Sequence, residues 1–407
     1  MEAALVNRES VSTVTTVLFA WELGRGLGHL MNMRRISARL KPHGFRFVAV
    51  ARDSTAADLL GEAFSEIIVA PRWPIDSRPA SQRSALSSAT LNDILSGMGL
   101  ADTGEVRRLL QAWDEIFKRT QPDLVIADFS PMAALAARSR LPLVHVGNGY
   151  TLPPHQMKRF PPLHRFSPAV WSEEQTLAAV NQAAQACGRV PLDRLPQLFS
   201  GDACLVQTFP LLDPYDTQRT EPLDGPMFDR APATRGAGAQ QIFAYLSSGY
   251  ALHPSLFAAL RPFASRLRIH APGLPTAQVE ELRHEGAQID AQPAPLAEIL
   301  PATRLIVHNG GPGVAAEALV AGVPQLVLSA QVEQDFNGRA LKNAGVAEFL
   351  RLHEPGVEIS PELIGRMSTD DALVARAANQ AEWHRAYLAT TDALRTCERT
   401  CLHLLTG

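Results

Sequence analysis

Short apolar runs alternate with longer stretches of helical spacing along almost the whole chain. TVLFA (Thr16–Ala20) leads into a glycine-rich loop, then a helical pattern from His29 to Leu40, then FRFVAVA (Phe45–Ala51). Farther on, DLVIADF (Asp123–Phe129) is followed by the helical PMAALAARSR and by LPLVHVG (Leu141–Gly147), with CLVQTF (Cys204–Phe209) as a later run. The alternation resumes with QIFAYLSSG (Gln241–Gly249), a helix after Pro254, RLRIHAPG, the helix TAQVEELRHEG, LPATRLIVHNGG and LVLSA (Leu326–Ala330). Runs without polar alternation fit strands buried on both faces, and helices between them fit the crossovers of a parallel sheet. The pattern therefore predicts an α/β protein of doubly wound, Rossmann-like sheets.

One segment breaks the rhythm. Residues 211–240, LLDPYDTQRTEPLDGPMFDRAPATRGAGAQ, are rich in Pro, Gly and Asp and read as a connection between domains. A length of 407 residues suits two domains rather than one core. After Glu362 there is no proline, and after Gly365 no glycine until the last position, so the chain should finish in helices.

Composition narrows the classes. Hydrophobic content of 46% with 19% charged residues is that of a folded globular chain, and a net charge of −3 gives no reason to expect nucleic acid. Four cysteines occur without a CxxC pair; Cys397 and Cys401 would share one helix face as free thiols. The N-terminal stretch carries Glu2, Arg8 and Glu9 and lacks the apolar core of a signal peptide, and no run is long enough to span a membrane. The expected location is the cytoplasm.

The densest chemistry lies in VHNGGPGVAAEALVAGVPQLVLSAQVEQDFN (Val307–Asn337). A strand end, a glycine turn and a helix start follow one another there. The first amides of such a helix lack intrachain partners and carry partial positive charge, and Gly310, Gly311 and Gly313 let an anion approach them. A phosphate or diphosphate is the natural occupant, although the turn alone equally fits a plain tight connection. Glu317, early on the helix, is placed to accept two ribose hydroxyls. Glu333 and Gln334, at the next strand end beside Asp335, offer the carboxylate and amide that adjacent sugar hydroxyls need.

This pattern resembles the donor-binding signature of GT-B glycosyltransferases: a glycine turn, Glu at the fourth position after its last Gly, Ala-Leu, Gly-Val-Pro, then acidic-Gln and Asn. It is most similar to the inverting family of plant and bacterial UDP-glycosyltransferases and macrolide glycosyltransferases. The sequence departs from the family twice. The usual phosphate-contacting His is Asn309 here, with His308 just before it, and the Ser or Thr after the turn is Val314. The resemblance implies that Asn309 donates to a phosphate in place of the His, with His308 open to compensating. It also implies donor contacts from Ser247, Ser248 and Gly249 at the first strand end of this half, and from Gln292 and Pro293 near the base and ribose. The implied organisation is an acceptor-binding Rossmann-like domain over 1–210, a linker over 211–240, a nucleotide-sugar domain over 241–385, and a final helix over 386–407 packing back on the first domain.

ELGRGLGHLMNMRRISARL (Glu22–Leu40) supplies a base. Its glycine loop delivers His29 to a helix start, and imidazole is the side chain suited to taking a proton near neutral pH. Such a base needs an orienting carboxylate, and Asp128 ends a strand of the same half. Read alone, His29 equally fits an ordinary helix start and Asp128 a helix cap; the family carries its catalytic pair in these two contexts. A rival reading takes Gly24, Gly26 and Gly28 as a dinucleotide fingerprint with Asp53, but the third glycine falls one position early. On the acceptor side Trp73, Tyr150, Phe160 and Phe166, with Trp171, fall in irregular stretches; they line an apolar cleft or pack beneath long loops.

The expected activity is inverting transfer from a UDP- or dTDP-sugar co-substrate to a hydroxyl of a hydrophobic small molecule or lipid, with no other cofactor. Without an Asp-x-Asp motif no metal is expected. A sugar-nucleotide epimerase of the same fold and a catalytically silent glycosyltransferase-like auxiliary protein are the alternatives.

Overall fold

The computed structural model describes residues 14–24, 27–52, 56–74, 88–164, 168–246 and 252–406. Two six-stranded parallel sheets form among them. The first contains β1 (Thr16–Trp21), β2 (Arg46–Ala51), β3 (Glu66–Val69), β4 (Leu124–Asp128), β5 (Leu143–Gly147) and β6 (Ala203–Val206) in the order β3-β2-β1-β4-β5-β6. The second contains β7 (Gln241–Tyr245), β8 (Leu267–His270), β9 (Gln288–Ile289), β10 (Thr303–His308), β11 (Gln325–Ser329) and β12 (Ala347–Arg351) in the order β12-β11-β10-β7-β8-β9. The winding reverses between β1 and β4, and again between β7 and β10. In open α/β sheets the crevice beyond the strand ends at such a reversal is where ligands bind.

In the first half the sheet is flanked by α1 (Gly28–Leu40), α2 (Ala56–Leu60), α3 (Leu91–Leu95), α4 (Thr103–Thr120), α5 (Pro131–Ala137) and α6 (Glu173–Ala186). The second half carries α7 (Leu256–Leu260), α8 (Thr276–His284), α9 (Leu296–Ile299), α10 (Pro312–Ala321) and α11 (Val332–Asn343). The chain ends in α12 (Pro361–Thr369), α13 (Asp371–Leu388) and α14 (Ala393–Thr406).

Alternation along β1 explains its unbroken apolar run. Val17, Phe19 and Trp21 pack with Leu30, Met33 and Ile36 of α1, while Leu18 and Ala20 pack with Trp113 of α4 and Met132 of α5. The same logic serves β10, whose Leu305 and Val307 join one core and Ile306 another. Among the described residues no helix is long and apolar enough to cross a membrane.

Two crossings join the halves. In the first, Phe209 and Leu212 already pack with Ala315 and Leu319 of α10, so the chain enters the second core just before residue 211. In the second, α13 packs on α10 and α14 returns to the first half, where Ala393, Cys397 and Cys401 are buried with Val17, Phe19 and Ile36. The crossings touch: the Tyr387 hydroxyl donates to the Leu223 carbonyl at 2.9 Å. All four cysteines are free thiols.

Candidate functional site

At the first reversal, β1 and β4 lie in register with Trp21 opposite Asp128. Beyond β1 the backbone turns at Gly24, with φ +87, and α1 begins at Gly28, placing His29 in its first turn. A Cβ on Gly24 would stand 2.4 Å from His29 Nε2, so glycine is what leaves room at that nitrogen. His29 Nδ1–H donates to Asp128 Oδ1 at 2.9 Å, which leaves the Nε2 lone pair as the basic position. The ring stacks on Trp21 with centroids 5.2 Å apart and planes at 21°. Arg52 donates to the Gly24 carbonyl and holds the loop.

Burial alone would depress the His29 pKa. The charge and hydrogen bond of Asp128 outweigh it, Glu333 adds to them and Arg52 opposes, so the imidazole titrates above its ordinary 6.5. Asp128 does not cap α5. The amide of Met132 is taken by Glu22 Oε2 at 2.9 Å, which leaves Asp128 for the histidine.

At the second reversal β10 runs into Asn309, Gly310 with φ +85, and Gly311, the residue just before α10. The three glycines differ. A Cβ on Gly310 would meet Val327 Cγ1 at 2.8 Å, whereas one on Gly311 or Gly313 would meet nothing within 4 Å. Gly310 shapes the turn, then, while Gly311 and Gly313 keep the helix start open. Asn337 Nδ2 ties the turn down by donating to the Gly310 carbonyl at 2.9 Å.

The side chains read as compensating around this turn are otherwise engaged. His308 is buried; its Nε2–H donates to Gln325 Oε1 at 2.9 Å and its Nδ1 accepts the Gly310 amide at 3.0 Å. Burial pushes its pKa down to about 4, so it is a neutral strut of the turn rather than a cationic phosphate contact. Asn309 is buried and donates to the Leu328 carbonyl at 3.2 Å, a bond that ties its amide to the sheet. Val314 packs against the core containing Phe243 and Ile306. Gln334 is also buried; its amide oxygen accepts the Ala330 N–H at 2.8 Å and shapes the start of α11. Gln292 is exposed beyond β9.

Glu317 lies half-buried on α10, and burial pushes its carboxyl up to about 7; Arg35 pulls the value down and Asp229 raises it. Arg35 reaches from α1 to Asp229 in the connection between halves, with Nε–Oδ1 at 2.9 Å and Nη2–Oδ2 at 3.0 Å. Glu333 bridges the cleft: its Oε1 accepts from Asn148 Nδ2, beyond β5, at 2.9 Å. Burial raises the Glu333 pKa, against the opposing pull of His29 and Asn148. Asn148 is itself fixed, since its Oδ1 accepts the amides of Tyr150 at 2.9 Å and Thr151 at 3.1 Å.

Of the aromatics assigned to an acceptor cleft, Phe160 is a core residue, packed edge-on against Phe199 at 6.2 Å. Trp73 is half-buried against the first-half core. Tyr150 is buried where the halves meet, its ring 6.5 Å from Phe336 of α11. Phe166, Ser247, Ser248 and Gly249 lie outside the described residues, as do Gly26 and Asp53 of the dinucleotide reading.

Sequence reasoning missed Glu22, Arg35, Arg52 and Asn148. Asn148 stood in plain view directly after a predicted strand, but its partner Glu333 is 185 residues away.

Comparison with known proteins adds to this geometry. Residues 273–396 match the family described as erythromycin biosynthesis protein CIII-like, C-terminal domain. The chain is 47% identical to the elloramycin glycosyltransferase of Streptomyces olivaceus over 51 residues, 12% of this chain and only 13% of that protein. A second relative is the UDP-N-acetylglucosamine–N-acetylmuramyl-(pentapeptide) pyrophosphoryl-undecaprenol N-acetylglucosamine transferase of Phenylobacterium zucineum. It is 25% identical over 362 residues, 82% of this chain and 92% of that one. The crystal structure of CalG4, the calicheamicin glycosyltransferase, superposes with a TM-score of 0.66 at 17% identity, covering 96% of this chain and 98% of the other. The fold is GT-B, and the chain resembles natural-product glycosyltransferases of that fold.

Proposed function

We propose that the chain is an inverting glycosyltransferase, moving a sugar from a UDP- or dTDP-sugar to a hydroxyl of a hydrophobic small molecule or lipid. The observation that carries the reading is the His29–Asp128 pair, closed at 2.9 Å on one side of the crevice, with Glu333 of the other half reaching across beside it. His29 Nε2 takes the acceptor proton as the bond to the anomeric carbon forms, and Asp128 stabilises the imidazolium. On the opposite side the amides of Gly311 and Gly313 at the start of α10 meet the negative charge developing on the departing diphosphate. Glu317 is assigned to the ribose hydroxyls and Glu333 to the sugar. Attack from the base side and departure toward α10 lie on opposite faces of the anomeric carbon, which inverts it.

The natural-product relatives support a hydrophobic acceptor, and the undecaprenol-linked substrate named for the second relative supports a lipid one. A thermal-shift panel of UDP-, dTDP- and GDP-sugars is the first test, because a ligand that binds only the folded state raises the midpoint. Stabilisation by one nucleotide class, followed by acceptor-dependent release of the diphosphate, is the expected result; no shift with any of them would sink the reading.

One alternative has an observation in its favour. His308 is neutral and buried, the Asn309 amide is bonded to the sheet, and Val314 has no hydroxyl, so three side-chain phosphate contacts are weakened together. A catalytically silent relative would look like this. Transfer that collapses in His29→Ala would exclude it.

A further inference from the structure

We propose that Glu22 is a positioning residue for the His29–Asp128 pair: from the end of β1 it fixes the strained turn behind Asp128 and so sets the reach of the base. The term base rests on the proposed function; the geometry does not. Phe129, directly after Asp128, has φ +44, a left-handed conformation that strains a non-glycine residue. Such a turn persists only where its surroundings over-determine it.

Consecutive residues of the first strand end supply that constraint. The Leu23 amide donates to the Phe129 carbonyl at 3.2 Å. Glu22 Oε2 accepts the Met132 amide at 2.9 Å, holding the start of α5 where Ser130, the residue that should cap it, makes no side-chain bond. The first amides of a helix have no partners of their own, so this contact anchors the turn. The second carboxylate oxygen is locked in turn, because Trp113 Nε1 on α4 donates to Oε1 at 2.5 Å. Trp21, just before, stacks on His29 and sends its own indole N–H to the Leu23 carbonyl at 2.6 Å. Residues 21–23 therefore hold the ring from one side and the Asp128 turn from the other.

Glu22 is 3% exposed and no proposed chemical step uses it. Burial pushes its carboxyl up to about 7, while Trp113, the amides of Met132 and Ala133, and the Trp73 indole pull the other way. A group buried merely to cap a helix would change stability alone when altered. A positioning group must also change His29.

The test is an NMR titration of the His29 imidazole in wild type and Glu22→Gln, alongside steady-state kinetics. Glutamine keeps the volume but turns an NH2 toward one of the two N–H donors that Glu22 satisfies. The His29 pKa should fall toward 6.5 and kcat should drop about tenfold as the base loses its alignment, with nucleotide affinity unchanged. Trp113→Phe, which frees one carboxylate oxygen but leaves the Met132 bond in place, should move the titration less than Glu22→Gln does. A folded Glu22→Gln protein with wild-type His29 titration and kcat would overturn the proposal, as would an equal pKa shift in Trp113→Phe. If Glu22→Gln does not fold, Glu22→Asp withdraws the carboxylate by one methylene and is read by the same titration with the same expected direction. The titration needs no turnover, so a chain that transfers no sugar would count against the proposed function while the titration still decides the role of Glu22.

Discussion

An imidazole serves as a base only while it is neutral, and the surroundings of His29 favour its charged form. Its pKa lies above 6.5 because Asp128, helped by Glu333, outweighs burial. The protonated pair stabilises the fold below 6.5, and that contribution fades as pH rises through the higher folded value, where the ring becomes free to accept a proton. The acid limb of kcat/KM should therefore lie above 6.5, and Asp128→Asn should move it to lower pH while reducing the rate. His29→Ala should cost about 10²–10⁴-fold in kcat with little change in nucleotide affinity. An unshifted acid limb in Asp128→Asn would detach the carboxylate from the base. The pairing of His29 with Asp128 was legible because one stood at a helix start after a glycine loop and the other at a strand end of the same half. Glu22 was not: a charged residue at the end of an apolar strand looks like the start of a loop, and its partners Trp113 and Met132 lie 91 and 110 residues on.

The glycine turn before α10 shows how one motif divides its labour at the level of an element. Gly310→Ala should lower the melting temperature, since φ +85 and a contact at 2.8 Å to Val327 both penalise a methyl there. The combined cost is about 1–3 kcal/mol. Gly311 has φ −60 and open space, so Gly311→Ala should leave the melting temperature alone and weaken nucleotide-sugar binding, read by calorimetry. Equal loss of stability in both variants would contradict the division. The strands were readable because burial on both faces leaves an unbroken apolar run, and the turn because its glycines cluster at a strand end, where position 310 requires one. What the turn's neighbours do was not readable. His308 and Asn309 have the polar groups a phosphate needs, but strand alternation turned His308 toward Gln325, and the Leu328 carbonyl of the adjacent strand took the Asn309 amide. Polar side chains at a strand end answer first to the backbone beside them.

Across the whole molecule two sets of contacts join the halves. The two crossings run together through Tyr387 and Leu223, and a hydrogen bond from Asn148 to Glu333 spans the crevice beside the ring pair of Tyr150 and Phe336. The Asn148–Glu333 contact ties the acid assigned to the sugar to the half that carries the proposed base. Asn148 Nδ2 occupies one oxygen of Glu333 and opposes the burial that raises its pKa. In Asn148→Ala the carboxyl should become harder to ionise and free to swing, and the hydrogen bond across the crevice should be lost. The nucleotide itself is assigned to Glu317 and the glycine turn, on a different element from Glu333 of α11. Affinity for free UDP or dTDP should thus stay within about twofold while affinity for the sugar-nucleotide falls about fivefold to tenfold, the worth of one ordinary hydrogen bond. Paired calorimetric titrations of nucleotide and sugar-nucleotide read the ratio directly. A parallel loss for both ligands would mean that Asn148 merely holds the halves together, and an unchanged ratio that Glu333 finds the sugar without help from across the cleft.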